Sequence, residues 1–138
     1  MHPITIDELK KVIALSDLPE DHLKWIIENS EEFEFEDGEI VAKTGEPAEW
    51  MFFIIEGRVD YYRNVNGKLV YYHSFLNDNE SGGVTGLLPY SRMKIYSGNS
   101  IVSGSLRGLR LHKKYFQELE KLNPDFIQML ISYMTERA

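Results

Sequence analysis

The 138-residue sequence contains no cysteine. That absence excludes disulfides, thiolate nucleophiles, zinc–thiolate sites and cysteine-held iron–sulfur clusters together. No apolar run approaches the roughly 18 residues that a membrane span requires, and the acidic start is unlike a signal peptide. There is no P-loop, no Gly-x-Gly-x-x-Gly and no Ser-His-Asp ordering, so nucleotide transfer and nucleophilic catalysis have no support. A soluble, cytoplasmic protein without a membrane partner is expected.

Positive charge is scarce, and it is unevenly placed. The chain holds 22 Asp+Glu against 15 Lys+Arg, for a net charge of −7. Residues 1–50 carry fourteen acidic side chains against four lysines, while residues 51–138 carry eight against eleven Lys+Arg. Nucleic-acid binding rests on neutralising phosphates, so this chain alone is not expected to bind nucleic acid. The positive half retains the means to attract a small anion, against the plainer reading that these charges are solvated faces.

What is present is an ordinary globular composition with 43% hydrophobic residues and a length suited to one domain. Thr5 precedes Glu8 in a capping-box arrangement, with Ile6, Leu9 and Ile13 at helical spacing. Pro19 opens a second helix that carries Leu23, Ile26 and Ile27 and runs out near Asn29 and Ser30. From Phe33 the period changes to two. Phe33 and Phe35 alternate with glutamates, Asp37-Gly38 and Gly45-Glu46-Pro47 mark turns, and residues 50–55 form an apolar strand suited to cover on both faces. Glu56-Gly57 separates that strand from the next, and Asn66-Gly67 signals a hairpin into Leu69 through His73. Residues 77–99 break the rhythm with a polar, glycine-rich stretch in which residues 86–89 read as one short helical turn. Strand character returns at residues 100–102 and 106–111, and Asn123-Pro124-Asp125 starts a last helix. The expected fold is α+β, mainly β: an antiparallel, jelly-roll-like β-roll flanked by N-terminal and C-terminal helices. One domain covers residues 1–138, with a helical lead at 1–30, the roll at 31–111 and closing helices at 112–138.

The glycine framework carries a family resemblance. Gly38-Glu-Ile-Val-Ala-Lys-Thr-Gly45, an apolar strand and then Glu56-Gly57-Arg58-Val59 resemble the β-roll opening of the cyclic nucleotide-binding domain. This is the sensor module of Crp/Fnr-type regulators and of cyclic-nucleotide-dependent kinases and channels. Leu106 through Phe116 looks like that family's last strand passing into the helix after the roll. The resemblance implies a phosphate-binding cassette of the form Phe-Gly-Glu-hydrophobic-Ala/Gly-Leu, with a short helix aiming backbone N–H groups at the cyclic phosphate. In the matching place stand Gly83, Val84, Thr85, Gly86, Leu87 and Leu88. Gly83, Gly86 and Leu87 match the pattern, whereas Val84 occupies the place of the glutamate that receives the ribose hydroxyl. Valine accepts no hydrogen bond, and an unpaired buried hydroxyl costs about 1–3 kcal/mol. The family's phosphate-binding arginine has Arg92 or Lys94 as its candidates here.

The resemblance therefore implies a regulatory domain rather than an enzyme. A small anionic ligand, cyclic AMP, cyclic GMP or a substitute, is expected at the N-terminal end of the turn at residues 86–88. Its arrival would reposition the helices from Tyr115 to Arg137 and so reach an effector domain. Only 27 residues follow Leu111, too few for a winged-helix DNA reader, so the sequence is expected to be a piece of a longer protein or a stand-alone sensor. The competing expectation is a degenerate roll that binds no nucleotide and serves dimerisation or docking. Phe126, Met129, Ile131 and Met134 could supply a homodimer face or pack back on the roll. A cupin metal site would need a His-x-His pair, and His2, His22, His73 and His112 lie far apart. His73 shares strand parity with Leu69, Tyr71 and Phe75, which leaves it as a haem or pocket ligand or as an ordinary core histidine. Paired Tyr61, Tyr62, Tyr71 and Tyr72 read as cross-strand packing, and Tyr90 and Tyr96 as stacking candidates for a ligand ring.

Overall fold

The computed structural model describes residues 3–137, with side chains through residue 133; His2 and the Met134 side chain lie outside the described residues. The helical lead is short. Helix α1 is Ile6–Leu9, and Ile13–Leu15 forms a 3-10 turn before α2 (Glu20–Asn29). The Thr5 hydroxyl accepts from the Glu8 N–H while the Glu8 carboxylate reaches back to the Thr5 N–H, so the capping box is present. The Glu8 carboxylate also pairs with Arg107 at 2.7 Å, which ties the lead to the roll.

Six strands follow: β1 (Glu31–Glu36), β2 (Ile40–Ala42), β3 (Trp50–Val65), β4 (Lys68–Leu76), β5 (Val84–Gly86) and β6 (Gly98–His112). All pairings are antiparallel, in the order β1-β6-β3-β4, with β2 added to β6 and β5 to β3. Asn66 and Gly67 take positive φ and turn β3 into β4, as their sequence predicts. Two further helices close the chain, α3 (Phe116–Leu122) and α4 (Pro124–Arg137), and the Asn123 side chain caps the second by accepting the Phe126 N–H.

The apolar run in β3 is covered on both faces. Met51, Phe53 and Ile55 join the core formed with the helices, while Phe52 and Ile54 join a second cluster inside the roll. Glu56-Gly57 does not end the strand. It marks irregular register against β6 inside one continuous strand. Gly57 has φ +98°, and a Cβ there would sit 1.9 Å from the Ser105 carbonyl oxygen, so the strand bends by bringing its backbone against β6 at a position without a side chain. Residues 100–102 and 106–111 likewise belong to one strand, β6.

Candidate functional site

The interior of the roll holds a cavity of about 240 Å³. Its inner lining is apolar and buried: Phe52 and Val59 from β3, Phe75 from β4 and Leu106 from β6. Val41 and Ala42 of β2 line one part, and Thr85, Gly86 and Leu88 another. Ser91, Met93, Tyr96 and Ser97 come from the loop before β6, beside Tyr61 and Ser100. That loop is held by a short ladder to the turn at residues 45–48. The Gly45 N–H donates to the Tyr96 carbonyl at 2.9 Å, the Tyr96 N–H to Glu46 at 3.0 Å and the Ala48 N–H to Lys94 at 2.9 Å. The Tyr61 and Ser97 hydroxyls share a hydrogen bond of 2.7 Å within the lining.

Of the cassette residues expected from sequence, Thr85, Gly86 and Leu88 line the cavity. Val84 does not: it is fully buried in the core shared with the helices. Gly83 lies on that same side, where its carbonyl accepts the Ile54 N–H at 2.7 Å, and Leu87 is buried outside the lining. Arg92 and Lys94 are exposed, outside the lining, and form no ion pair among the described residues. The helical turn expected at residues 86–89 is absent. Residues 84–86 are spent pairing with β3, and the Leu87 N–H donates to the Trp50 carbonyl at 2.8 Å, so β3 holds these backbone groups while the chain turns at Gly86, φ +86°. Too few residues then remain before Pro89 to close a helical turn. The expected docking point at a helix N-terminus therefore does not exist.

Tyrosine parity also changes. Tyr61 opposes His73 and Tyr62 opposes Tyr71, which leaves Tyr72 as an extra residue in β4. One bulged residue transfers everything beyond it to the other face. Tyr71 consequently stands with Ser74, sharing a hydroxyl hydrogen bond of 2.6 Å, rather than with His73 and Phe75. His73 is outside the cavity lining, 3.6 Å from the Glu80 carboxylate. The cross-strand tyrosine pairs do form, Tyr61 with Tyr72 at 6.0 Å and Tyr62 with Tyr71 at 5.8 Å between centroids. Of the two tyrosines in the loop, Tyr96 lines the cavity, whereas Tyr90 is exposed and donates its hydroxyl proton to Glu120 of α3.

Burial raises the Tyr96 phenol above its ordinary value of 10.0, and the Glu49 and Glu46 carboxylates add to this, while a backbone hydrogen bond at Glu49 and the Arg110 charge oppose it. A raised folded-state value means that the neutral phenol is favoured by the fold. The associated stability is present below about pH 10 and is lost as pH rises through the folded value. Tyr96→Phe should lose less stability than the wild type between about pH 8 and about pH 11 in denaturant titrations. An equal loss in both proteins would assign the alkaline sensitivity to other groups.

Sequence reasoning missed most of the lining, its apolar floor of Phe52, Val59, Phe75 and Leu106 included. The available signal was strand alternation, which the register irregularities in β3 obscure. Among the described residues no group of three or more His, Asp or Glu side chains is placed to hold a metal ion.

The family model described as cyclic nucleotide-binding domain matches residues 32–123. No curated protein matches the sequence. Among solved structures, the regulatory domain of Toxoplasma gondii PKA, crystallised with cAMP, is similar at TM-score 0.76 and 17% identity, over 95% of this chain and 48% of that one. The regulatory subunit of a cAMP-independent protein kinase A from Trypanosoma cruzi, bound to guanosine, is similar at TM-score 0.72 and 21% identity, over 89% of this chain and 43% of that one. The sensor domain of the transcriptional regulator DNR from Pseudomonas aeruginosa is similar at TM-score 0.73 and 16% identity, over 95% of this chain and 86% of that one. The chain thus spans somewhat under half the length of the two kinase regulatory chains. At these identities the likeness establishes the fold, a β-roll with flanking helices.

Proposed function

Because the chain belongs to the cyclic nucleotide-binding domain family, we propose that it is a ligand-sensing regulatory domain, not a catalyst, whose ligand occupies the roll cavity and whose response leaves through the closing helices. One observation carries this reading: the segment that walls the cavity is bracketed by contacts to α3 and α4. On one side, Gly82 lies against Tyr133 of α4, so closely that a Cβ would come within 2.4 Å of the ring. On the other, Tyr90 donates to Glu120 of α3. A ligand that displaces Thr85, Gly86 or Leu88 would move both anchors. Neither contact demonstrates two states; they supply the mechanical path that a shift in population would use.

The ligand class is a cyclic nucleotide or a substitute for one. The cAMP in the Toxoplasma structure supports the first and the guanosine in the Trypanosoma structure supports the second. Thr85, Gly86 and Leu88 would touch it directly, and an anionic ligand would need Arg92 or Lys94 to turn inward. The effector is proposed to lie beyond this domain, with a dimer through the closing helices, where Met129 is exposed, as the arrangement that α4 would serve. Among the described residues no helix is long and apolar enough to cross a membrane.

Hydrogen exchange of α3 and α4, measured with and without cyclic AMP, cyclic GMP, adenosine and guanosine, tests the reading. Binding of any one is expected to change protection in both helices and in residues 82–90, and Tyr133→Ala to uncouple α4 from the change. Binding without any response in α3 or α4 would remove the relay, and no binding at all would remove the sensor.

A further inference from the structure

We propose that the cavity selects an uncharged ligand of nucleoside class, a flat ring carrying hydroxyl or amino groups, over its phosphorylated counterpart. The inference rests on the sensing role proposed above and narrows the ligand of that site.

The lining contains no lysine, arginine or histidine among the described residues. Its polar groups are the hydroxyls of Tyr61, Thr85, Ser91, Tyr96, Ser97 and Ser100, all neutral. The arginines of the roll strands are engaged elsewhere, while Arg92 and Lys94, which flank Met93 of the lining in sequence, are exposed and stand outside it. Arg58 pairs with Asp60 at 3.0 Å, Arg107 with Glu8 at 2.7 Å and Arg110 with Glu31 at 3.1 Å, while Arg63 stacks 3.8 Å above the Tyr72 ring. The charges that act on Tyr96 in the wall are the carboxylates of Glu46 and Glu49 and the guanidinium of Arg110, and the last is already paired with Glu31. An anion moved into such a space loses its hydration and gains no paired charge. The backbone offers little relief, because the segment at residues 84–87 is hydrogen-bonded to β3 and provides no helix N-terminus.

The same lining suits an uncharged ring. Phe52, Phe75 and the two tyrosines surround apolar space, and hydroxyls stand where ring substituents or a sugar would need partners. The positive charge of the second half of the chain therefore does not converge on this site.

Calorimetric titration of the whole chain with adenosine, guanosine, cyclic AMP and cyclic GMP, each up to about 1 mM, decides the matter. At least one nucleoside is expected to bind about tenfold or more tightly than its cyclic phosphate. A cyclic nucleotide that binds as well as its nucleoside overturns this inference and leaves the sensing role standing. Absence of binding by all four overturns both. The exposed double substitution Arg92→Ala/Lys94→Ala supplies a second measurement that does not touch the core. Nucleoside affinity should stay within about twofold, and a loss of about tenfold would show that these cations reach the ligand and that the neutral assignment is wrong.

Discussion

Val84→Glu is expected to destabilise the protein by about 3–5 kcal/mol and to create no nucleotide site. By family pattern this substitution restores the missing carboxylate of the cassette. In the fold it does something else. Val84 has no exposed surface and packs with Val12, Leu15, Met51 and Phe53 in the helix-facing core, so the new carboxylate would be buried away from the cavity without a partner. Against a typical domain stability of about 5–15 kcal/mol, such a loss lowers Tm by roughly 10 °C or more. The sign of the pH dependence identifies the cause. Burial raises the folded-state value of the new glutamic acid above its unfolded value of about 4.3, so the charge-dependent part of the penalty is absent below that pH and grows as pH rises through the interval between the two. Thermal unfolding of Val84→Glu and Val84→Gln beside the wild type, at about pH 4 and about pH 7, reads this directly. Recovery at low pH is expected for the acid alone. A Val84→Glu protein as stable as the wild type, or one that gains cyclic AMP binding, would place residue 84 at the ligand after all.

Gly57→Ala is the second large effect, expected at about 3 kcal/mol or more. Two costs add at this position: a positive φ of +98° and a Cβ that would stand 1.9 Å from the Ser105 carbonyl oxygen. Gly104 separates them. Its φ of +87° is similar, but a Cβ there meets nothing within 4 Å. Gly104→Ala should therefore cost only the backbone strain, about 1–2 kcal/mol. Urea unfolding of both variants gives the difference. Equal losses would mean that the approach of β3 to β6 at Gly57 relaxes without penalty.

How much of this was legible in the sequence depends on the range of the forces involved. Signals that act over three or four residues read correctly. The Thr5–Glu8 capping box, the Asn66-Gly67 turn and the Asn123 cap each satisfy local backbone groups whatever the rest of the chain does, and the alternation of Phe33 and Phe35 with glutamates marks the covered side of β1. Signals decided by a distant partner read wrongly. Glu56-Gly57 reads as punctuation because glycine ends strands as readily as it bends them, and only the neighbouring β6 backbone distinguishes the two. Residues 86–89 read as a helical turn because leucine favours helices, yet β3 claims those backbone groups first. The parity of Tyr71 and His73 failed through one bulged residue, Tyr72, that nothing local announces. At the site, the family pattern singles out residues 83–88, of which Thr85, Gly86 and Leu88 line the cavity, and it carries no signal for which of them face inward. Arg92 and Lys94 stand out as counterparts of the family's phosphate-binding arginine, and neither a family pattern nor a charge says where a loop side chain points.

The central place of β6 has a consequence in time. This strand pairs with β1, β2 and β3, joining Glu31 to Arg110 and Arg63 to Gly98. Such pairings close long loops and belong to the slow part of folding, whereas the β3–β4 hairpin closes locally. On the ribosome, β1 and β2 emerge many residues before the strand that completes them. Until residues 98–112 are available their hydrogen-bonding edges have no cross-strand partner in this fold, and the wall of the cavity lacks Leu106. The hairpin is thus expected to precede the roll, and the cavity to be among the last features of the molecule to be assembled.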